Sequence, residues 1–431
     1  MGKILTRPLL GFNSYDCWGP DMNEERALAN IEAFAQKLQP FGYEYFCFDA
    51  GWFLDLYYME RLNNPEAEKI KNLDEFGRLN PSKVKFPRGF KPITDACHSR
   101  GFKFGLHFMR GIPKLAVERR CRIKGTNYFA ADIADVDNDC AWGSENYGVD
   151  MSKPGAQEYY DSILEFLAEN GVDFIKVDDM AEHPLEIAAV ARAIEHCGRP
   201  MVLSLSPGDN VFRGNMPEIR QYADMLRISG DVWDRAWDLQ KVFDRWEMWE
   251  DYGSQECFID LDMIPFGLLQ GYIPEGLPKD HVPHDLNEKR LSRLTLEEKR
   301  TFMTQRAMAA SPLIFGGDLT LSPAEDIALA TNTQMLECNQ LGVTAKRIYG
   351  QRHLDVRQLF TPGSNNRHGF VAVFNRKGAA YNTTLPLTAL KLPEGVDANN
   401  LRDIWTERSL NLKDGIIKFN FKPWECFFTA F

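Results

Sequence analysis

The chain has 431 residues, 44% of them hydrophobic and 12% aromatic, with a net charge of −11. That is enough for two domains or a large barrel with an appendix, around a sizeable core. No basic stripe stands out against the acidic balance, which argues against a nucleic-acid partner. No segment approaches the about 20 apolar residues of a membrane helix. Nine scattered cysteines contain no CxxC pair, so they read as reduced core thiols rather than zinc ligands. The N-terminus lacks a leader's apolar run, and a cytoplasmic location is expected.

In chain order, residues 9–15 predict a first strand. Asp21 with Glu24 resembles a capping box, and Ala27, Leu28, Ile31, Phe34, Ala35 and Leu38 recur at helical spacing up to Pro40. A second strand, 43–51, puts Tyr45, Cys47 and Asp49 on one face. Residues 53–87 read as a polar loop and 89–100 as a helix. A third strand, 102–109, aligns Gly105, His107 and Met109. Residues 110–150 read as a second long loop. Its acidic run, 131–139, lacks the glycine and terminal glutamate of a calcium loop. No metal or organic cofactor is expected.

A helix over 157–169 stops at Asn170-Gly171. The stretch Gly171-Val172-Asp173-Phe174-Ile175-Lys176-Val177-Asp178-Asp179 then reads as a buried strand running into carboxylates. Its period of two sets Phe174, Lys176 and Asp178 on one face and Ile175 and Val177 on the other. The stretch Met225-Leu226-Arg227-Ile228-Ser229-Gly230-Asp231 repeats the pattern, with Arg227, Ser229 and Asp231 on one face. Further strands fall at 201–207, 257–263 (Phe258, Asp260 and Asp262 sharing a face) and 312–317. Helices fall near 185–197, 235–250, 296–310 and 323–330, with a polar insertion at 271–295. Eight strands alternating with helices predict an α/β fold, a (β/α)8 TIM barrel over residues 1–345. Short strands at 353–361, 369–375, 381–388, 416–421 and 424–431 predict a C-terminal antiparallel β-sandwich over residues 346–431.

Two strands that each lift a carboxylate to the C-terminal end of one barrel suit a two-carboxylate reaction, with glycoside hydrolysis the leading example. Two alternatives stand beside it. Lys176 could serve as a Schiff-base amine in an aldolase, or the bowl could bind sugar without catalysis.

Several further pieces carry a resemblance: Gly11-Phe12-Asn13-Ser14-Tyr15, Tyr43-Glu44-Tyr45 with Asp49 and Trp52, Gly101-Phe102-Lys103-Phe104-Gly105, Lys176-Val177-Asp178, Arg227 with Asp231, Leu261-Asp262-Met263, and Ser311-Pro312-Leu313. In order and spacing the chain resembles glycoside hydrolase family 27, the α-galactosidase and α-N-acetylgalactosaminidase group, over its full length. The resemblance implies the same barrel and β-sandwich, with Asp178 as nucleophile and Asp231 as acid/base in a retaining, exo-acting hydrolysis. It also implies sugar contacts from Asp49 and Lys176, a place near the C2 substituent for Arg227, and pocket-shaping rings at Tyr15 and Trp52. His107, Ser206 and Asp262 complete the expected substrate-binding set, with a satisfied strand histidine as the alternative for His107.

The chain departs from that pattern at Ala50, where many α-galactosidases carry a second acid for the O4–O6 edge. It departs again at Ser204-Leu205-Ser206-Pro207-Gly208, and at Asp179-Met180, which stand where secreted members form a disulfide. The expected substrate is a terminal α-galactose-type sugar on a small molecule or oligosaccharide. An α-N-acetylgalactosaminide comes second, and a β-L-arabinopyranoside or an α-glucoside after it. A homo-oligomer is left open.

Overall fold

Eight parallel strands form one curled sheet in chain order: β1 (Leu10–Asn13), β2 (Tyr45–Phe48), β3 (Lys103–Met109), β4 (Phe174–Asp178), β5 (Val202–Ser206), β6 (Met225–Arg227), β7 (Phe258–Asp260) and β8 (Leu313–Phe315). β8 pairs with β1, and Ile264, just beyond β7, bridges in parallel to Phe315, so the edges meet. The computed structural model describes residues 3–57, 60, 64, 70–140, 145–206, 212–253, 255–271 and 289–431. The strands alternate with helices α1 (Glu24–Lys37), α2 (Lys91–His98), α3 (Ala156–Glu169), α4 (Pro184–His196), α5 (Met216–Tyr222), α6 (Ala236–Trp249), α7 (Leu296–Met308) and α8 (Ala324–Ala330). The molecule is a (β/α)8 barrel followed by antiparallel β-structure.

Local chemistry explains the element ends. Asn23, not Asp21, caps α1 by accepting the Arg26 N–H, and Asp21 lies in a preceding 3-10 turn. Thr295 and Glu298 form a reciprocal capping box on α7. Gly171 ends α3 at φ +77°, a conformation that glycine adopts freely.

On β4, Ile175 and Val177 are fully buried against the covering helices. Inside the barrel, Leu9, Cys47, Phe174, Val202, Met225, Phe258 and Ile314 form an apolar plug. A Cβ at Gly105 would approach Phe174 to 2.6 Å, so the glycine leaves room for that ring. Charged side chains gather above the plug, toward the strands' C-terminal ends.

Beyond the barrel, β9 (Lys346–Gln351), β10 (Leu354–Phe360), β11 (Gly369–Asn375) and β15 (Cys426–Ala430) form a four-stranded sheet. β12 (Tyr381–Pro386), β13 (Leu412–Lys413) and β14 (Ile416–Phe421) form a three-stranded one. Leu354, Val356, Val371, Val373, Leu385, Ile417 and Phe427 belong to a core of their own. The four-stranded sheet also meets the barrel. Phe374 lies edge-on to Phe243 of α6 at 5.1 Å, and the Arg357 guanidinium stacks 3.8 Å over Trp246.

Several expectations are corrected. Residues 110–150 are not one loop. Ile112–Pro113, Ala134–Asp139 and Asn146–Val149 form a small antiparallel sheet, with helices at Lys114–Glu118 and Ala130–Ile133. The acidic run therefore belongs to a helix and a strand. Tyr15 opens a short helix, Tyr15–Trp18, instead of ending β1. β6 stops at Arg227, leaving Ser229 and Asp231 beyond it. Helices α5 and Thr333–Gln340 and strands β9 and β13 were not foreseen. Pro207, Gly208 and residues 272–288 of the insertion lie outside the described residues. All nine cysteines are free thiols. Among the described residues no helix is long and apolar enough to cross a membrane.

Candidate active site

Above the plug, the strand ends open into a cleft lined by Tyr15, Asp16, Asp49, Ala50, His107, Lys176, Asp178, Arg227, Asp231 and Asp262, among others. Register explains the grouping. Lys176 pairs with His107 of β3 and Ser204 of β5, and Asp178 pairs with Met109 and Ser206. Paired residues on parallel neighbours face the same side of the sheet, and all eight strands end on one face of the barrel, so β2, β3, β4 and β6 turn their last inward residues toward one opening.

Asp49 directly follows β2. Its Oδ2 accepts from Lys176 Nζ at 2.7 Å and from Asn13 Nδ2 at 2.8 Å, and its Oδ1 accepts the Ala50 N–H at 2.8 Å. Burial pushes Asp49 toward neutrality, but Lys176 and His107 outweigh it and hold the carboxyl below its ordinary value. Lys176 is raised above its own: burial opposes the charge, and Asp49 and Asp178 more than restore it.

Asp178 is the last residue of β4. His107 Nε2 lies 3.1 Å from its Oδ2, and its buried Oδ1 has no hydrogen-bond partner. Burial raises this carboxyl, yet Lys176, His107 and Arg227 together hold it well below the usual carboxylate range. His107 is itself fixed from behind, because Trp52 Nε1 donates to its carbonyl at 2.7 Å.

Asp231 stands at the cleft mouth with 51% of its side chain exposed. Arg227 Nη1 donates to Asp231 Oδ1 at 3.0 Å and to Asp262 Oδ1 at 3.3 Å. Asp262, at φ +72°, also accepts the Val232 N–H at 2.7 Å through Oδ2. Asp231 is raised above its ordinary value. Water touches one side of the group, but the recessed protein around it thins its hydration. That desolvation, with repulsion from Asp262 and Asp178, exceeds the pull of Arg227. One carboxylate is thus kept ionised and a second biased toward its protonated form, the separation that two-acid chemistry uses.

Of the expected site residues, Asp49, Lys176, Asp178, Arg227, Asp231, Asp262, Tyr15 and His107 meet in the cleft. Trp52 does not line it: only 2% exposed, it packs on Phe53 and Phe90 behind His107. Ser206 lies below the cleft, in the barrel interior beside Ser204 and Asp260, and its buried hydroxyl has no partner. Asp16, Met109 and Trp233 line the cleft without having been foreseen. Met109 shares a face with His107, a signal the strand period carried. Asp16 follows the β1 motif directly, but a strand reading through residue 15 hid its position.

No family model matches the chain. The crystal structure of a family 27 β-L-arabinopyranosidase from Geobacillus stearothermophilus superposes with TM-score 0.86 at 33% identity, covering 99% of this chain and 96% of that one. A variant of that enzyme in complex with arabinose gives TM-score 0.87 at 34% identity, covering 99% and 97%. Among curated proteins, an α-galactosidase from Cyamopsis tetragonoloba is 23% identical over 430 residues, 97% of this chain and 84% of that one. An α-N-acetylgalactosaminidase from Gallus gallus is 26% identical over 364 residues, 82% and 76% of the two chains. A relative more than 30% identical from end to end, on this fold, makes the chain a member of glycoside hydrolase family 27 and an α-galactosidase-like glycoside hydrolase.

Proposed function

We propose that the protein hydrolyses terminal galacto-configured pyranosides by retaining double displacement, and that it accepts β-L-arabinopyranosides at least as well as α-galactosides. The two sugars share ring stereochemistry, and the arabinoside lacks C6. The pair Asp49–Ala50 carries the sugar assignment. Asp49 is an ionised acceptor suited to ring hydroxyls, and the next cleft residue, Ala50, offers no acceptor toward an exocyclic hydroxymethyl. The full-length likeness to a β-L-arabinopyranosidase supports the same reading.

In this mechanism Asp178 Oδ1, free of hydrogen bonds, attacks the anomeric carbon while His107 steadies Oδ2. Asp231, protonated, gives its proton to the departing glycosidic oxygen. Asp231 then takes a proton from water, whose oxygen displaces Asp178 and releases the sugar. Lys176 and Asp49 hold hydroxyls of the same ring, and Arg227 borders its C2 side.

A panel of aryl α-galactoside, α-N-acetylgalactosaminide, α-glucoside and β-L-arabinopyranoside tests the assignment. The arabinoside is expected to equal or exceed the galactoside in kcat/KM. Turnover of the α-glucoside alone would reassign Asp49 to an equatorial hydroxyl. Binding of free sugars with no turnover on any substrate would leave a sugar-binding protein.

A further inference from the structure

We infer that Arg110 is a positioning residue for this reaction: its guanidinium pins Asp179 and thereby sets the direction of the neighbouring Asp178 carboxylate. The inference rests on Asp178 being the attacking group.

Asp179 follows β4 at φ +63°. Aspartate enters this left-handed region more readily than most residues, but the turn must still be held there. The chain bends immediately after the attacking residue, and 178 and 179 share one planar peptide, so a turn that relaxes at 179 tilts that plane and shifts the end of β4 that carries the 178 carboxylate. Arg110 touches both residues. Its backbone N–H donates to the Asp178 carbonyl at 3.0 Å, and Nη2 and Nε reach Asp179 Oδ2 at 3.3 and 3.4 Å. The rest of the guanidinium is anchored away from the cleft. Nη1 donates to Glu186 Oε1 at 2.7 Å and Nη2 to Asn138 Oδ1 at 3.2 Å. Glu186, on α4, accepts in turn from the Tyr160 hydroxyl of α3. The clamp therefore ties the residue after Asp178 to two helices and the 134–139 strand.

The surroundings are shaped for this arginine, which is 1% exposed. A Cβ at Gly148 would come within 2.8 Å of its Nη1. Gly111, at φ +85°, lets the chain lie against the Tyr147 carbonyl, where a Cβ would be only 2.0 Å away. The Arg110 carbonyl accepts from Asn146 Nδ2 and the Cys140 thiol, each at 3.0 Å. The small sheet beyond β3 thus closes over the guanidinium and excludes water. A buried ionic group is a poor choice where stability alone is needed, because well-packed apolar side chains often serve as well or better. Directional bonds that fix a turn beside a reacting carboxylate are something an apolar side chain cannot supply.

Three variants test the inference, each compared with the parent on the best aryl substrate: Arg110→Met, Arg110→Lys, and Gly148→Ala, which keeps the arginine but crowds its guanidinium. Misplacement of a reacting group by about 1 Å costs on the order of 100-fold. Arg110→Met and Gly148→Ala are therefore expected to lose about 10- to 100-fold in kcat, with KM within about threefold. Arg110→Lys should fall between them and the parent. A merely structural brace would lower the melting temperature and leave kcat per folded molecule unchanged; that result overturns the inference. If Arg110→Met does not fold, unchanged kcat in both remaining variants overturns it equally. Azide rescue of Asp178→Ala separates the two levels. Failure of rescue removes the nucleophile assignment, whereas rescue with unchanged kcat in the Arg110 and Gly148 variants removes only the clamp.

Discussion

Lys176 Nζ lies 2.7 Å from Asp49 Oδ2, so the ammonium two residues before Asp178 bonds across the barrel to the end of β2 and not along its own strand. Asp178 still feels that charge, but its direct partner is His107. Asp49 and Asp178 therefore share one lysine. Asp178 Oδ1 stays unbonded, as the proposed attack requires.

Lys176→Met should accordingly do more than weaken substrate binding. Asp49, 4% exposed at its side chain, would lose its cation, and breaking a buried pair from one side costs about 3–5 kcal/mol. Adding Asp49→Asn to the same chain should recover part of that loss by removing the stranded charge. Denaturant unfolding of the single and double variants checks this. A single variant within about 1 kcal/mol of the parent would show that the pair is not energetically buried.

Asp178→Ala should abolish turnover without unfolding the protein, because Asp178 sits above the apolar plug and not within it. With azide present, an α-galactoside should yield the β-galactosyl azide, since the small anion enters from the face that the carboxylate vacated. In the parent, NMR should show the α-anomer released first. A β-anomer formed first would require an inverting site, with carboxyl groups about 6.5–9.5 Å apart and not about 5–5.5 Å.

The Asp231–Arg227–Asp262 triangle makes a signed pH prediction. Asp231 must be protonated to serve as the acid, so activity falls as pH rises through its pKa. Asp262 raises that pKa by repulsion and also takes part of the Arg227 charge. Asp262→Asn removes both effects and leaves Arg227 to Asp231 alone. The basic limb of the kcat/KM profile should therefore move to lower pH. A limb that stays fixed or moves upward would assign it to another group.

The β4 stretch was legible because period-two alternation places Lys176 and Asp178 on one face, and β4 keeps that period to its end. The same reasoning gave Arg227 its face but failed for Asp231. β6 ends at Arg227, so the two meet through a loop, at 3.0 Å. Cross-barrel register is not written in any single strand, which is why the lysine's true partner emerged only with the fold. The strand Ala134–Asp139 escaped notice for a different reason: only Ala134 and Val136 alternate with its acids, Val136 is exposed, and aspartate and asparagine are poor strand formers. Trp52 misled because a tryptophan after β2 looks like a pocket wall, whereas its ring is spent on Phe53 and Phe90 and its N–H on His107.

Asp260 offers a stability test away from turnover. Burial, then repulsion from Asp262, pushes it up to about 6 against the opposing pull of Arg227. The folded state thus holds a proton that the unfolded chain releases near pH about 4. Stability contributed by this group is complete below that value, falls as pH rises, and levels off above pH about 6. The lost contribution is on the order of 3 kcal/mol. Asp260→Asn keeps an acceptor for the Asp262 N–H and cannot ionise. Its unfolding free energy should gain on the parent's between pH about 4 and 6. Parallel curves across that window would mean that Asp260 titrates normally.

Ala50 gives the most direct handle on the sugar. It follows Asp49 on the cleft wall, and its half-buried methyl group presents nothing to an exocyclic hydroxymethyl. Ala50→Asp would add a carboxylate beside one already held ionised by Lys176. The two acids would repel in the empty site, raising one pKa and costing some stability. A bound α-galactoside can relieve part of that cost by donating its O6 hydroxyl to the new acceptor, whereas a β-L-arabinopyranoside has no such group. A hydrogen bond to a charged partner is worth about 1.5–3 kcal/mol. The ratio of kcat/KM for α-galactoside over β-L-arabinopyranoside should thus rise about ten- to a hundredfold in the variant. Most of that change should come from lost arabinoside turnover, because the arabinoside meets an added buried charge that it cannot satisfy. An unchanged ratio would mean that C6 points away from residue 50, and the ring would have to be turned in the cleft.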